Sequence, residues 1–288
     1  MKKLIEVLQS GADYLAGKGV ETPRLIMEQL MAHVLACPRL QLYVRFETII
    51  PEDRLVALRD GIRRLGAGEP LQYVTGDTEF MGHRFKTDRR ALIPRPDTEC
   101  LVNAVLACEP LWAGQRPVIV DIGTGSGCII ISLALARPDA EYRAVDQSEA
   151  ALALAGENAA GNGVGAGIRF QKGDLLFGFG PHSLDAVVAN LPYIPTSVCG
   201  GLPRHIRDHE PMSALDGGSE GLDVICRLAV GARTALRPGG WLFLEIGFDQ
   251  GARVVDTLKE CGYTGMVVLQ DHGNRDRVVC AVSERNGK

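Results

Sequence analysis

The 288-residue sequence has no paired cysteine motif, no long apolar run and no excess of basic residues. Its eight cysteines are scattered without a C-x-x-C pair, which is typical of a reduced protein and argues against a disulfide framework or a zinc site. A formal net charge of −4 at pH 7 argues against a chain whose main affinity comes from wrapping nucleic acid. The remaining composition, 46% hydrophobic and 23% charged, is ordinary for a globular protein.

The sequence also shows no segment that would target the protein to a membrane. Residues 1–6 include two lysines, but no long apolar stretch accompanies them, so we expect no signal peptide. No apolar run approaches the length of a membrane span. We therefore expect a cytoplasmic protein with no membrane partner.

Residues 1–66 are predicted to form a small helical bundle. Apolar residues from Leu4 to Leu15 repeat at helical spacing, and similar stretches begin after Pro23 and Pro51. Helices joined by short links are typical of a bundle. This segment holds ten Lys or Arg against eight Asp or Glu, so its charge is balanced. We interpret it as a substrate-recognition domain, a protein-recognition or lid module rather than a nucleic-acid arm.

Residues 67–93 are predicted to be a linking hairpin. The segments 71–76 and 80–85 read as short strands around turns. A proline-bounded loop over residues 93–99 then starts a helix, and we expect residues 94–288 to form the second domain. A self-contained two-domain architecture favours a monomer.

From residue 117 onward, apolar strand-like segments alternate with helical segments. We expect strands at residues 118–120, 141–145, 168–170, 186–189 and 240–245, with helices that include residues 129–136 and 150–158. This alternation predicts an α/β fold with a Rossmann-like, mostly parallel sheet. Two further strand candidates, at residues 265–269 and 277–282, predict an antiparallel pair at the end of the sheet.

A glycine-rich loop follows the first strand of this sheet. It comprises Gly123, Thr124, Gly125, Ser126 and Gly127, and its glycines let a ligand approach the backbone closely. Cys128 stands where the dinucleotide fingerprint would place its third glycine. Asp121, just before the loop, would repel a pyrophosphate but would favour a cationic sulfonium with an amino-acid tail.

Acidic residues follow the next two strands. Asp146 ends the second strand about 20 residues after the glycines, where a carboxylate can accept hydrogen bonds from both ribose hydroxyls. Asp174, after the third strand, is placed to receive an adenine amino group, and Leu175 to cover the ring. Together with the glycine loop, these residues favour S-adenosyl-L-methionine over NAD as the cofactor.

The fourth strand ends in Asn190, Leu191, Pro192 and Tyr193. This sequence is suited to gripping a planar –NH2 group, because the Asn190 side-chain oxygen can accept one N–H and the Leu191 carbonyl the other. Pro192 stiffens the turn, and Tyr193 offers a flat face for stacking. We interpret these four residues as catalytic and substrate-binding, with Asn190 also near the cofactor. Direct methyl transfer to nitrogen then needs no metal and no covalent enzyme intermediate.

The chain resembles the HemK/PrmC family of protein-(glutamine-N5) methyltransferases, which modify peptide-chain release factors. The resemblance covers essentially the whole length and rests on residues 70–76, residues 93–99, the glycine loop, residues 190–193, Glu210-Pro211 with Ala214-Leu215, and residues 276–278. It implies that residues 123–127, Asp146, Leu175 and Asn190 bind the cofactor. It also implies that residues 190–193 bind the glutamine of the Gly-Gly-Gln loop of class I release factors.

One residue departs from the family pattern, and two alternative functions therefore remain open. The family usually has Asn-Pro-Pro-Tyr, whereas Leu191 is the second residue here. Asn-Leu-Pro-Tyr also occurs in rRNA adenine dimethyltransferases, so an adenine-N6 methyltransferase on RNA or DNA is one alternative. A non-catalytic, cofactor-binding regulator of translation is another. The acidic net charge argues against direct sequence-specific binding of nucleic acid.

The sequence alone leaves two possible roles for each of three further groups of residues. His205, His209 and Glu210 superficially suggest a metal site, but flanking prolines favour a solvated or substrate-facing loop. Arg95 is either a structural pin or a contact to the cofactor loop. Glu245 ends the fifth strand and either orders the substrate loop or is a satisfied strand-end acid.

Overall fold

This computed structural model describes residues 2–113 and 116–284 of the chain. The α-helices are α1 (Leu4–Gly17), α2 (Pro23–Val34), α3 (Arg39–Val44), α4 (Glu52–Gly66), α5 (Leu71–Thr75), α6 (Glu99–Leu106), α7 (Glu109–Trp112), α8 (Cys128–Ala136), α9 (Glu149–Gly161), α10 (Thr196–Cys199), α11 (Arg204–Arg207), α12 (Asp223–Ala235) and α13 (Gly251–Glu260). The strands are β1 (Asp77–Phe80), β2 (His83–Lys86), β3 (Val118–Ile122), β4 (Glu141–Asp146), β5 (Ile168–Lys172), β6 (Leu184–Ala189), β7 (Leu236–Glu245), β8 (Tyr263–Gln270) and β9 (Asp276–Ser283). None of the helices within these residues is long and apolar enough to cross a membrane.

The first of two compact units consists of residues 2–77 together with residues 203–209. It contains α1 to α5 and α11, so the predicted helical bundle is confirmed, and the short helix α3 was not predicted. Its apolar core includes Leu8, Leu15, Met27 and Leu58, all nearly inaccessible to solvent. Amphipathic helices of this kind are stable because their apolar faces bury one another.

The prediction of a strand over residues 71–76 is wrong, because residues 71–75 form the helix α5. Pro70 occupies the N-cap position, and Arg64 Nη2 donates to the Tyr73 carbonyl at 3.0 Å. The Thr75 hydroxyl donates to the Leu71 carbonyl one turn earlier at 3.1 Å. Gly76, with a φ of 82°, ends the helix in the left-handed conformation. The alternation of residue types resembled a strand, but proline at the helix start and glycine at its end favour the helix.

The second unit consists of residues 78–113, 116–202 and 210–284. Its central sheet has seven strands within the described residues, in the order β5-β4-β3-β6-β7-β9-β8. Strands β3 to β7 pair in parallel, whereas β9 runs antiparallel to β7 and β8. The predicted mostly parallel α/β sheet with an antiparallel C-terminal pair is therefore confirmed.

Alternate residues of each strand face opposite sides of this sheet and bury two apolar layers. Ile119 and Val188 pack with α6 and α8 on one face, and Val120 and Val187 pack with α12 and α13 on the other. Because both faces are covered, the central strands are mainly apolar, with Asp121 in β3 and Asp185 in β6 as exceptions. The large core holds the strand ends rigidly in place.

Strand order reverses between β3 and β6, since β3 pairs with β4 on one side and β6 on the other. The chain moves outward from β3 to β4 and β5, and then returns to β6. Parallel sheets of this type bind ligands in the crevice at the carboxyl ends of such strands. The glycine loop after β3, Asp146 and Asn190 all lie at this point of the fold.

Candidate active site

A cavity of about 360 Å³ lies at the carboxyl edge of the sheet. Its volume is within the range of roughly 300–1,000 Å³ that is usual for small-molecule and cofactor sites. The predicted site residues that line it are Gly123, Thr124, Gly125, Ser126, Asp146, Leu175, Asn190, Leu191 and Pro192. The other predicted residues, Gly127, Asp174 and Tyr193, are not among those that line the cavity.

The glycine loop is held in a conformation that side chains would disturb. Gly123, Gly125 and Gly127 all have positive φ, at 72°, 55° and 80°. A Cβ on Gly127 would also lie 2.8 Å from Ile131 Cδ1. The Gly123 N–H donates to the Val145 carbonyl at 2.8 Å, which fixes the start of the loop against β4. Glycine is therefore required here, and the lack of side chains at these positions lets a ligand approach the backbone closely.

Asp146 is fixed at the end of β4 by two backbone donors. Its Oδ2 accepts from the Gly125 N–H at 2.9 Å, and its Oδ1 accepts from the Ser148 N–H at 2.9 Å. Each carboxylate oxygen keeps a further lone pair. The side chain is thus oriented beside the glycine loop with acceptor capacity left for ribose hydroxyls.

Asp121 lies fully buried at the end of β3. Its Oδ2 accepts from the Thr124 hydroxyl at 2.7 Å, whereas Oδ1 has no hydrogen-bond partner among the described residues. Burial, with a smaller contribution from the nearby charge of Asp146, raises the pKa of this carboxyl to about 7, although the hydrogen bond from Thr124 opposes the rise. An unpaired buried acceptor is costly, so this oxygen is suited to a cationic partner.

The structure directs Asp174 toward two side chains on the rim of the cavity. Its Oδ1 accepts from Gln147 Nε2 at 2.9 Å, and its Oδ2 pairs with Arg227 Nη2 at 2.6 Å. Gln147 and Arg227 both line the cavity. Sequence reasoning did not identify Arg227, because its pairing with Asp174 joins residues 53 positions apart.

Asn190 directly follows β6 and is oriented by Thr98. Asn190 Nδ2 donates to the Thr98 hydroxyl oxygen at 3.2 Å, so Oδ1 is the end of the amide available to a ligand. Thr98 is buried at 2% exposure and also lines the cavity. Sequence reasoning noted the Pro-Arg-Pro-Asp-Thr-Glu segment but assigned Thr98 no role. The proline-bounded motif was the signal that could have found it.

Leu191, Pro192 and Tyr193 continue the turn. Leu191 is buried and packs over Gly123, where a Cβ would lie 3.1 Å from Leu191 Cδ2. The Tyr193 carbonyl accepts from Gln250 Nε2 at 2.9 Å. Burial, followed by the negative charge of Glu245, raises the pKa of the Tyr193 hydroxyl to about 12. The tyrosine is therefore neutral across the physiological range.

Arg95 and Glu210 form an ion pair beside the cavity. Arg95 Nη2 bonds Glu210 Oε1, and the Ile93 N–H donates to Glu210 Oε2 at 3.1 Å. Glu210 is buried, while Arg95 lines the cavity. Glu210 therefore holds the proline-bounded loop in place. No group of three or more His, Cys, Asp or Glu side chains within residues 2–113 and 116–284 could hold a metal ion.

Known proteins resemble this chain over nearly its whole length. Two family models match it, the PrmC N-terminal domain over residues 6–76 and the methyltransferase small domain over residues 98–198. The release factor glutamine methyltransferase of Moorella thermoacetica is 44% identical over 279 residues, which cover 96% of this chain and 98% of that protein. The chain belongs to the release factor glutamine methyltransferase family. The Geobacter sulfurreducens protein of the same name is 40% identical over 274 residues, or 95% of this chain and 94% of that protein.

A solved structure supports the fold of this methyltransferase. The hMettl16 catalytic domain in complex with MAT2A 3′UTR hairpin 6 has a TM-score of 0.57 and 16% identity, and the match covers 71% of this chain and 77% of that chain. Because the two sequences are only 16% identical, the similarity shows a shared fold and not a shared function. The enzyme is an S-adenosylmethionine-dependent methyltransferase, as the glycine loop and strand-end acids predicted.

The residues present fit S-adenosylmethionine. The unpaired Asp121 Oδ1 supplies negative charge at the base of the glycine loop, which suits a cationic cofactor. Asp146 retains acceptor capacity for ribose hydroxyls, and Leu175 supplies an apolar wall of the cavity. A nucleotide with a pyrophosphate would instead meet the carboxylate of Asp146, which lines the cavity.

Proposed function

We propose that this methyltransferase methylates the side-chain amide nitrogen of the glutamine in the Gly-Gly-Gln loop of class I peptide-chain release factors. The observation that carries the proposal is the orientation of Asn190. Its Nδ2 is used by Thr98, so Oδ1 is free to accept an N–H of a planar amide. The names and nearly full-length similarity of the relatives support the same acceptor.

Three residues of the turn each make a different contact with the acceptor amide. Asn190 Oδ1 accepts one amide N–H and the Leu191 carbonyl accepts the other, while Tyr193 stacks on the amide plane. S-adenosylmethionine, when bound, supplies the electrophilic methyl group. These two acceptors favour a pyramidal nitrogen and therefore a more nucleophilic lone pair. Transfer would break the S–CH3 bond of the sulfonium as the N–CH3 bond forms, so that a neutral thioether would leave and the nitrogen would carry the positive charge. One N–H proton of this acidic nitrogen would then pass to solvent.

Positioning supplies most of the catalysis in this scheme. Correct placement of two reacting groups can lower a barrier by about 7–11 kcal/mol. The rigid sheet fixes both halves of the site, since the glycine loop follows β3 and Asn190 follows the neighbouring strand β6. Residues 123–127, Asp146, Asp174, Leu175 and Asn190 are proposed to bind the cofactor.

We also propose that the helical unit recognises the release factor and that the enzyme acts as a monomer in the cytoplasm. The net charge of −4 supports a protein partner rather than direct sequence-specific binding of nucleic acid.

The proposed function is tested by methyl transfer from labelled S-adenosylmethionine to a recombinant class I release factor. Label should appear on the wild-type factor and not on a factor whose Gly-Gly-Gln glutamine is changed to alanine. Asn190→Ala enzyme should transfer label at least about 100-fold more slowly. Equal labelling of both factors, or label on structured RNA alone, would reject the glutamine acceptor.

A further inference from the structure

Glu245 is a buried acid whose place in the fold calls for an explanation. It ends β7 at the carboxyl edge of the sheet and is only 2% exposed. Its Oε2 has no partner of ordinary hydrogen-bond geometry among the described residues. Because an apolar residue would avoid the cost of burying a carboxyl, this acid is expected to serve the adjacent site.

Glu245 contacts Tyr193, at one end of the substrate-binding turn, and is linked to Asn190, at the other end, through the hydroxyl of Thr98. The Tyr193 hydroxyl donates to Glu245 Oε1 across 3.4 Å, a long bond. The Thr98 hydroxyl lies beside the same carboxyl and, through hydrogen bonding, opposes the rise of its pKa. Thr98 in turn accepts from Asn190 Nδ2 at 3.2 Å. One carboxyl therefore neighbours the tyrosine directly and the asparagine through a single hydroxyl.

The direction of these hydrogen bonds follows from the ionisation of Glu245. A carboxylate only accepts, so the single proton of the Thr98 hydroxyl points toward Glu245. The Thr98 oxygen then accepts from Asn190, which must present its –NH2 end to Thr98 and its Oδ1 to the cavity. A protonated Glu245 can itself donate to Thr98. The Thr98 proton is then released toward Asn190, where it favours the opposite amide orientation.

We propose that Glu245 is a positioning residue for methyl transfer, because its carboxylate sets the side-chain orientation of Asn190 through Thr98 and holds the hydroxyl of Tyr193. The inference rests on the proposed function for the identity of the acceptor. The orientation of Asn190 is a property of the enzyme alone and is measured without an acceptor.

The charged groups around Glu245 determine the pH at which this arrangement changes. Burial, with a smaller contribution from the charge of Asp97, raises the pKa of Glu245 to about 7. Thr98 and Arg277 oppose this rise. The positive charge of Arg277 is shared with two other carboxylates, because its Nη2 lies 3.0 Å from Asp271 and 3.4 Å from Asp97. The carboxylate is thus present above about pH 7 and is lost as pH falls below that value.

The first experiment follows the side-chain amide resonances of Asn190 by ¹⁵N NMR, assigned by their absence from Asn190→Ala. In wild type they should shift with a midpoint near pH 7, and in Glu245→Gln this shift should disappear. Asp185→Asn is the matched control, because Asp185 lies at the opposite end of β6 and pairs with Arg237. Identical titration of Asn190 in wild type and Glu245→Gln would overturn the proposal.

The second experiment measures kcat against pH at saturating cofactor, because Asp121 titrates in the same range in the free protein. Wild-type kcat should fall below about pH 7, whereas Glu245→Gln should show a flat profile with kcat about tenfold lower at pH 8. Thr98→Val should reproduce this loss and Thr98→Ser should restore it, so a poorly folded Glu245 variant does not prevent the test. An unchanged kcat and pH profile in Glu245→Gln and Thr98→Val would refute the proposal.

These outcomes separate the inference from the proposed function. If wild-type enzyme transfers no methyl group to glutamine, the proposed function fails, while the Asn190 resonances still decide the role of Glu245. If glutamine is methylated but Asn190 does not respond to Glu245, the inference alone fails.

Discussion

Replacing Asp121 with asparagine tests whether a buried carboxylate next to the glycine loop destabilises the fold and attracts the cofactor. The carboxyl is fully buried, with Oδ1 unpaired and burial raising its pKa from 3.8 to about 7. A carboxyl whose pKa is higher in the folded than in the unfolded state binds its proton more tightly when folded. The free energy of unfolding therefore decreases as pH rises from about 4 to about 7, and the whole penalty remains at pH 8.

The magnitude follows from the two pKa values. The interval from 3.8 to about 7 corresponds to about 4 kcal/mol of destabilisation at pH 8, because each unit on the pKa scale is worth about 1.36 kcal/mol. Asparagine keeps an oxygen that can accept from Thr124 but places an unpaired –NH2 group at the position of Oδ1, which costs about 1–3 kcal/mol. We expect Asp121→Asn to raise the free energy of unfolding by about 1–3 kcal/mol at pH 8.

The assay is denaturant unfolding of cofactor-free enzyme at pH 5, 6, 7 and 8. The difference in free energy of unfolding between Asp121→Asn and wild type should decrease as pH falls. Wild type should still show pH dependence from Glu245, whose pKa burial also raises to about 7. The same variant should bind S-adenosylmethionine at least about tenfold more weakly, because a cation loses its buried carboxylate. A variant less stable than wild type at pH 8, or equal in cofactor affinity, would refute the reasoning.

Other substitutions test how the substrate-binding turn is held. Leu191→Pro should leave kcat within about threefold, because the Leu191 carbonyl is kept, but should lower stability by about 1–2 kcal/mol through lost apolar burial; kinetics and thermal unfolding check both. Arg95→Ala should destabilise the enzyme by roughly 2–4 kcal/mol, because it leaves Glu210 buried without its cation, and an unchanged melting temperature would contradict this. Gly217→Ala should lower both stability and kcat, since a Cβ there would lie 2.6 Å from the Pro192 carbonyl oxygen; steady-state kinetics should show at least a tenfold loss, as expected for a displaced turn.

The features that sequence predicted are those set by local pattern. Apolar runs and helical repeats located the strands β3 to β9 and the helices α1, α2 and α4. The strand-end positions of Asp146 and Asn190 followed from the same pattern, because parallel strands bring their carboxyl ends to one edge. Glycine at a tight turn is likewise a local requirement, and all three loop glycines have positive φ.

The features that sequence did not predict depend on contacts between distant residues. Thr98 meets Asn190 across 92 positions and Arg95 meets Glu210 across 115, and neither pairing leaves a trace in local spacing. The grouping of residues 203–209 with the helical unit has the same cause. In α5, local signals conflicted, and the terminal proline and glycine outweighed an alternating pattern that is weak over five residues.

The leucine at position 191 is compatible with a rigid turn because the neighbouring backbone restrains it. The loop after residue 215 packs so closely on the turn that Gly217 and Gly221 leave no room for side chains against Pro192 and Tyr193. Gly217 N–H also donates to the Ile194 carbonyl at 2.8 Å. Leu191 adds buried apolar contact over the glycine loop, which proline would supply less well. The rigidity that a second proline would give is therefore provided by packing, while the acceptor at this position remains a backbone carbonyl.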